Sequence, residues 1–492
     1  MLGNYITFPE LLLWLPLFSG LIIFFIKEPK NAKRWTLISS LITLAISLAS
    51  LYYHDNNKYL LYNNVSYVWM PYLGSSFALG LDGMGHLLTF LTALSFPVIF
   101  AATYKTEYKN ANIFYGLMLL TQCGLMGVFV SADALVFYFF WELALIPVYF
   151  LCSRWGGEKR VAATWKFFIY TFVSSLLMLE GIIYVYLQTT PTLTAQHSFS
   201  FIAFYNSHIS PPDQNWLFWL FFIAFAVKMP VFPFHTWQPD TYEQSSPPAT
   251  MVLSGIMVKM GVFAILRWVL PVFPDAVVHF RNIVIGLSIA GMIYASCIAM
   301  VQDDLKRLVA YSSIAHIGLM CATIFATNTT GLQGVMIQMF NHGINIIGLW
   351  IVVYLVERQT GVRKLSQLGG LALKAPVLTI FFVLMVLANI SLPLTNSFVG
   401  EFTMFTGLYQ YNRWYAAFAG ISIILVAVYS LNMVQKIFYG SSPSETIVVK
   451  DINLNEKFIL AVVVIFIFVL GVYPAPLFHL TSDTVTTILS HF

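Results

Sequence analysis

The stretch Trp219-Leu-Phe-Phe-Ile-Ala-Phe-Ala-Val-Lys228-Met-Pro230-Val-Phe-Pro233-Phe-His235 puts a lysine after nine residues that carry no charge. A little further on, Met251-Val-Leu-Ser-Gly-Ile-Met-Val-Lys259-Met-Gly-Val-Phe-Ala-Ile-Leu does the same with Lys259. Both runs are apolar enough for a bilayer, where an ammonium at the centre of a helix costs roughly 2.5–3.5 kcal/mol on insertion scales. Such a group persists where it faces a partner or a wet cavity. The two lysines therefore mark a chain that moves charge through a membrane.

Composition agrees. The 492 residues are 59% hydrophobic and only 9% charged, whereas soluble domains carry about 25% charged residues. A water-soluble fold is excluded. Apolar blocks bounded by charge, proline or polar clusters number fourteen, centred near residues 17, 44, 90, 121, 142, 176, 224, 258, 291, 316, 342, 390, 425 and 466. Each can supply the roughly 20 apolar residues that a spanning helix needs. The alternation of a transmembrane barrel is absent, so the expected class is an all-α polytopic membrane protein of about fourteen helices. The first block lacks a basic leader and a small-residue cleavage site and reads as a retained helix. Cys123, Cys152, Cys297 and Cys321 are scattered singly, without metal-ligand or cluster spacing.

Charge fixes an orientation. Nineteen Lys and Arg fall in the loops joining helices 1–2, 3–4, 5–6, 9–10, 11–12 and 13–14, and four, Lys58, Arg267, Arg281 and Arg413, on the other side. By the positive-inside rule both termini lie outside the cytoplasm. Two blocks are interrupted at bilayer depth: helix seven at Lys228-Met-Pro230 and Pro233, and helix twelve at Leu387-Ala-Asn-Ile-Ser-Leu-Pro393-Leu-Thr-Asn-Ser-Phe-Val-Gly400-Glu401. Proline removes a donor and clashes with the preceding turn, and a helix broken in lipid lines a cavity or packs in protein. Broken helices five apart, crossing in opposite senses, fit inverted repeats.

Six deep ionisable groups form the candidate site: Glu142, Lys228, Lys259, His316, His342 and Glu401. Acid, base and shuttle elements on neighbouring helices suit proton transfer, since removing an acid partner favours the neutral amine of a buried lysine and histidine titrates near neutrality. Each has a plainer alternative. Glu142 and Glu401 could hold interhelical bonds, Lys228 could snorkel to an interface, and His316 could be a packed neutral ring bonded to Ser312 or Ser313. Gln338, Asn341, His342 and Asn345 form an i, i+3, i+4, i+7 stripe that should face water or a polar network. His235 and Asp240 read as turn residues near the surface, with a structural role as open as a role in proton entry or exit. Asp82 and Asp133 fall at helix starts, where capping explains them. Glu180, between Leu179 and Gly181, is a membrane acid without an assignment.

These segments also carry a resemblance. Phe139-Phe-Trp-Glu142-Leu-Ala-Leu-Ile-Pro147, Ala224-Phe-Ala-Val-Lys228-Met-Pro230, Phe234-His235-Thr-Trp237-Gln-Pro239-Asp240, Asp304-Leu-Lys306-Arg307 through His316, Ile337-Gln-Met-Phe-Asn-His342-Gly and Asn396-Ser-Phe-Val-Gly400-Glu401-Phe cover most of the chain from helix four to helix thirteen. The chain resembles the antiporter-like M-type subunits of proton-pumping NADH:quinone oxidoreductase (respiratory complex I; chain 4 in mitochondria). Glu401 points to the M type, since L, N and cation-antiporter D subunits typically place a lysine there. The resemblance implies fourteen helices: N-terminal helices 1–3 in 1–110, a first five-helix repeat in 111–272, an inverted second in 273–440, and a loop with helix 14 in 441–492. It also implies that Glu142 and Lys228 are a proton-modulating pair, that Lys259, His316 and His342 are a central relay, and that Glu401 is the terminal group. NADH, FMN, Fe–S clusters and quinone belong to partner subunits, with no cofactor or metal in this chain. Neighbouring L and N type subunits are the implied partners, and the cell inner membrane of a bacterium is favoured over the mitochondrial inner membrane. Two departures stand out. Helix twelve reads Leu392-Pro393-Leu394-Thr395 where Leu-Pro-Gly-Thr is usual, and Pro239-Asp-Thr-Tyr242 replaces Pro-Asp-Ala-His, so any role of that second histidine cannot be carried over. The rival readings are a subunit of a multisubunit cation/proton antiporter, a passive scaffold and an independent solute carrier, with Na⁺ as an alternative cargo.

Overall fold

The computed structural model describes residues 6–53, 62–191, 197–440 and 450–492. Its elements run α1 (Phe8–Ile23), α2 (Pro29–Tyr52), the hairpin β1 (Tyr62–Met70) and β2 (Ser75–Leu81), α3 (Gly83–Ala102), α4 (Ala111–Val130), α5 (Ala134–Arg154), α6 (Arg160–Leu187), α7 (Phe201–Tyr205), α8 (Pro211–Lys228) and α9 (Trp237–Gln244). A helix over Pro247–Val272 follows, made of α10 (Pro247–Val252), α11 (Val258–Ala264) and α12 (Leu270–Val272) joined by two π-turns. Next come α13 (Pro274–Val301), α14 (Leu305–Ile324), α15 (Thr329–Thr360), α16 (Leu371–Lys374), α17 (Pro376–Asn389), α18 (Asn396–Tyr411), α19 (Arg413–Phe438), α20 (Leu454–Val472) and α21 (Ala475–Leu489). Among the described residues eleven helices are long and apolar enough to cross a membrane, and two shorter apolar ones, α1 and α17, join them.

The apolar blocks fall on these helices, the one near 390 lying at the break between α17 and α18. The interruption of helix seven spans the residues between α8 and α9, where Pro230 and Pro233 bring no N–H. The chain turns there on bonds from Val231 N to Ala226 O and from Phe234 N to Val231 O. In the second break, Leu392 N bonds Leu387 O, and Ser391 and Leu394 both adopt left-handed backbone, at φ 61° and 76°. Leu394 is the residue standing where glycine is usual. A Cβ in that region is disfavoured by roughly 1–2 kcal/mol, so the departure noted in the sequence has a conformational cost.

Two features were not foreseen. Residues 62–81 fold into the β1–β2 hairpin, with Val65 opposite Leu79 and Tyr67 opposite Phe77, where the sequence reading placed no strand. The helix carrying Lys259 also holds π-turns at Leu253–Met257 and Ile265–Val269, a device frequent at functional sites. The centre of the molecule is α15, whose membrane-spanning part is wholly buried. It packs against α3, α10, α14, α17, α18, α20 and α21. A helix surrounded on all sides has no lipid-facing stripe, so its polar positions have to meet other helices.

Candidate functional site

Lys259 is fully buried on α11. Its Nζ donates to the carbonyl of Ser254, 2.8 Å away, inside the first π-turn, and lies in hydrogen-bond contact with His342 Nδ1 at 2.8 Å. His342 sits on α15, and its ring centroid lies 5.5 Å from that of His316 on α14. His316 Nδ1 is in turn 2.8 Å from Glu401 Oε1 on α18. Gln338 on α15 reaches the same oxygen at 3.4 Å. Four residues on four helices thus make one buried polar line, Lys259–His342–His316–Glu401. Among the described residues neither imidazole has a hydrogen-bond partner at Nε2.

The rest of the α15 stripe is absorbed by the second break. Asn341 Nδ2 donates to Asn396 O at 2.7 Å, and Asn345 Nδ2 donates to Asn396 Oδ1 and Ser397 Oγ at 2.8 and 2.7 Å. These bonds anchor the start of α18 and so position Glu401 one turn later. The plain alternative for His316 is not what is found: Ser312 instead accepts from Asn389 Nδ2 and bonds Tyr429 OH.

The first half of the site is arranged differently. Lys228 is the last residue of α8 and is 1% exposed, so it does not snorkel. Its Nζ lies 5.5 Å from the centroid of the Trp141 ring and has no hydrogen-bond partner among the described residues. Glu142, next to Trp141 on α5, is half-buried with Ser175 of α6 beside its carboxyl group. Glu142 and Lys228 are near enough to interact electrostatically but form no ion pair within 4.0 Å. The last turns of α8 approach α11 through Gly261, where an added Cβ would lie 2.6 Å from Phe225 O and 2.8 Å from Met229 N. Glycine is required there for the two lysine-bearing segments to touch.

His235 departs from the expectation of a surface turn. It is 2% exposed, stacked on Phe232 and edge-on to Tyr294. Asp240 does lie near the surface, in a charge network with Lys166 (2.8 Å) and Arg307 (2.9 Å) that continues through Glu243 to Arg363 and Asp304. Burial alone would raise the Asp240 carboxyl; the bonds from Lys166 and Arg307 outweigh it and hold the group below the usual carboxylate range. Clefts of about 350 and 490 Å³ flank this network.

Asp133 caps α5, accepting from Leu135 N and Val136 N, and also ties down Ser75 and Ser76. Asp82 caps α3 through Gly85 N but does more than cap. It pairs with Arg267 at 2.8 Å, both side chains 4% exposed. Sequence reading counted Arg267 among the outer-loop charges, and the signal it passed over was the flanking run Ala264-Ile-Leu-Arg267-Trp-Val-Leu. Among the described residues no group of three His, Cys, Asp or Glu side chains is placed to hold a metal.

Residues 131–426 match the family model described as "NADH:quinone oxidoreductase/Mrp antiporter, TM". The chain is 33% identical over 475 residues to NADH-quinone oxidoreductase subunit M of Rhodobacter capsulatus, covering 94% of this chain and 91% of that one. The chain belongs to this family. Another member, the F(420)H(2) dehydrogenase subunit M of Methanosarcina mazei, is 32% identical over 488 residues, covering 98% of each chain. The fold also matches a chain of respiratory complex I from Thermus thermophilus with a TM-score of 0.88, at 27% identity, over 97% of this chain and 99% of that one. The matched region holds all six candidate residues, from Glu142 to Glu401.

Proposed function

We propose that this chain is a proton-translocating membrane subunit of an NADH:quinone oxidoreductase, moving protons along the buried axis while quinone is reduced in other subunits. The observation that carries the reading is the line Lys259–His342–His316–Glu401, whose members meet across four helices. An ammonium and an imidazolium 2.8 Å apart repel strongly in a low dielectric, so the Lys259–His342 pair holds one excess proton and not two. Adding a proton at Lys259 therefore drives one onward, through His316 to the carboxylate of Glu401. Proton transfer needs hydrogen-bond reach, directly or through one water, and the spacing of the line meets it at both ends.

Glu142 and Lys228 act on this line by field. With Glu142 charged and turned toward Lys228, the ammonium is neutralised and its repulsion on Lys259 falls; with Glu142 withdrawn, repulsion favours release from Lys259. His235, buried below the Lys166–Asp240–Arg307 network, is the group suited to bring protons in from the side of the basic loops. The chain is read as fourteen spans with two inverted five-helix repeats (111–272 and 273–440), both termini outside the cytoplasm of a bacterial inner membrane. L and N type subunits are its neighbours, and NADH, FMN, Fe–S clusters and quinone are held elsewhere in the complex.

A cation/proton antiporter subunit is the second reading, favoured by the breadth of the family that the chain matches. The test uses Glu142→Ala and Lys228→Ala in membrane vesicles, with assembly checked on native gels. Assembled complex with strongly reduced NADH:quinone activity and proton uptake supports the assignment. Normal pumping in both variants sinks it, and Na⁺/H⁺ exchange without NADH favours the antiporter.

A further inference from the structure

The proton path leaves one membrane acid unused. Glu180 lies on α6, a 28-residue helix. At 1.5 Å per residue it sits about 10 Å from the helix midpoint, inside a hydrocarbon core that extends about 15 Å to either side of its centre. Unlike the acids of the site, Glu180 is exposed. It falls in register with the exposed apolar residues Ile169, Phe172, Leu176, Ile183 and Leu187, the i, i+3, i+4, i+7 pattern of a single helix face. No hydrogen bond or ion pair reaches it from the described residues. The other carboxylates on membrane-length helices are the half-buried Glu142, the buried Glu456, and Asp275 and Glu357 within a turn of a helix end.

The neighbouring helix adds to this face. On α5 the exposed residues Phe139, Ile146 and Phe150 flank Glu142, and Ser175 of α6 touches that carboxyl group. Glu180 is five residues beyond Ser175, about 7.5 Å along the helix. The α5–α6 face thus presents two acids at bilayer depth. Its own cations on α6, Arg160 and Lys166, stand in the first two turns, at the opposite end from Glu180, and Lys166 is committed to Asp240.

A carboxylate facing acyl chains costs a few kcal/mol, and membrane acids accordingly pair or face protein. We infer that the α5–α6 face is covered by a transmembrane helix of a neighbouring subunit that brings a lysine or arginine to the depth of Glu180. The two side chains form an inter-subunit ion pair, and a buried pair of this kind fixes which helix docks and at what height more than it adds affinity. The interface rests on the chain working beside other membrane subunits, not on the proton path, so its failure leaves that path standing.

The test takes the intact complex in native membranes. A photoreactive phenylalanine analogue at Leu176 or at Ile183, on the same stripe, is irradiated and the products identified by mass spectrometry. In parallel, dicyclohexylcarbodiimide, which attacks protonated carboxyls from the lipid phase, is applied to the intact complex and to the subunit separated in detergent. The expected result is a crosslink to another membrane subunit, with Glu180 protected in the complex and labelled after separation. Glu180→Lys should then lose the subunit from the complex on native gels more severely than Glu180→Gln. Crosslinks to lipid alone, or labelling of Glu180 in the intact complex, overturn the interface and leave a protonated acid in lipid. A crosslink to a second copy of this chain overturns the choice of partner.

Discussion

Replacing Glu401 separates the proposed role of this carboxyl in proton transfer from a role as an interhelical bond. Glu401 is 8% exposed and accepts from His316 at 2.8 Å, with Gln338 a weaker contact at 3.4 Å. In Glu401→Gln the side-chain oxygen still accepts from His316, so a charge-assisted bond of about 1.5–3 kcal/mol becomes a neutral one of about 1 kcal/mol. The structural loss is then on the order of 1 kcal/mol, and the complex should assemble. The amide cannot take up a proton, and a lost acid–base group typically slows a transfer step by 10²–10⁴-fold. Glu401→Ala loses the bond as well and leaves a buried ring nitrogen unpaired, at about 1–3 kcal/mol more. The assay is NADH-driven proton uptake in inverted vesicles, normalised to assembled complex on native gels. Both variants should lose most of their uptake, the alanine form with less assembled complex. Wild-type uptake in assembled Glu401→Gln, with loss only in Glu401→Ala, would refute the relay and leave Glu401 as an interhelical bond.

The remaining expectations follow from single contacts. Gly261→Ala places a Cβ 2.6 Å from Phe225 O where 3.4 Å is ordinary contact, so the end of α8 must move by several tenths of an ångström; overpacking of this kind costs typically 1–3 kcal/mol, and coupled uptake should fall even in assembled complex, which wild-type pumping would contradict. Leu394→Gly removes a Cβ from a left-handed position (φ 76°); glycine's larger unfolded-state entropy offsets part of the roughly 1–2 kcal/mol gained, so thermal stability should hold or rise by up to about 1 kcal/mol, and a clear drop in unfolding temperature would count against the backbone assigned to the break. The Asp240 carboxyl is held low by Lys166 and Arg307, so its stabilising contribution is present above the unfolded carboxylate pKa of about 3.9 and is lost as pH falls through the lower folded value. Because the group is about a third exposed, the effect is small. Asp240→Asn should lower stability slightly at pH 7 and flatten its decline below pH 4, and an unchanged acid limb in thermal melts would argue against the network.

Much of the site was legible because burying charge in lipid is costly enough to stand out in sequence. Lys228 and Lys259 announced themselves by the uncharged runs around them, and the α15 stripe by helical spacing; both meet protein partners or aromatic rings as that cost requires. Helix breaks were legible because proline cannot donate to a helix. The pairing of His316 with Glu401 was not, because residues 85 apart give no local hint of contact. The pairing of Arg267 with Asp82 was not legible, because the partner comes from a distant helix start. The π-turns around Lys259 left no signature, since one extra residue in a helical turn needs no special side chain. His235 followed two prolines and looked exposed, yet the break folds its ring inward against Phe232 and Tyr294.

On the proposed path along Lys259, His342, His316 and Glu401, His342 is an interior link, 2.8 Å from Lys259 and with its ring centroid 5.5 Å from that of His316. The most direct measurement is therefore proton uptake and quinone reduction recorded together in vesicles carrying assembled His342→Leu complex, a substitution close in size that removes both ring nitrogens. Proton uptake should fall to a small fraction of wild type, with quinone reduction slowed alongside it where the two are tightly coupled. Wild-type rates of both in the assembled variant would rule out a proton path through His342.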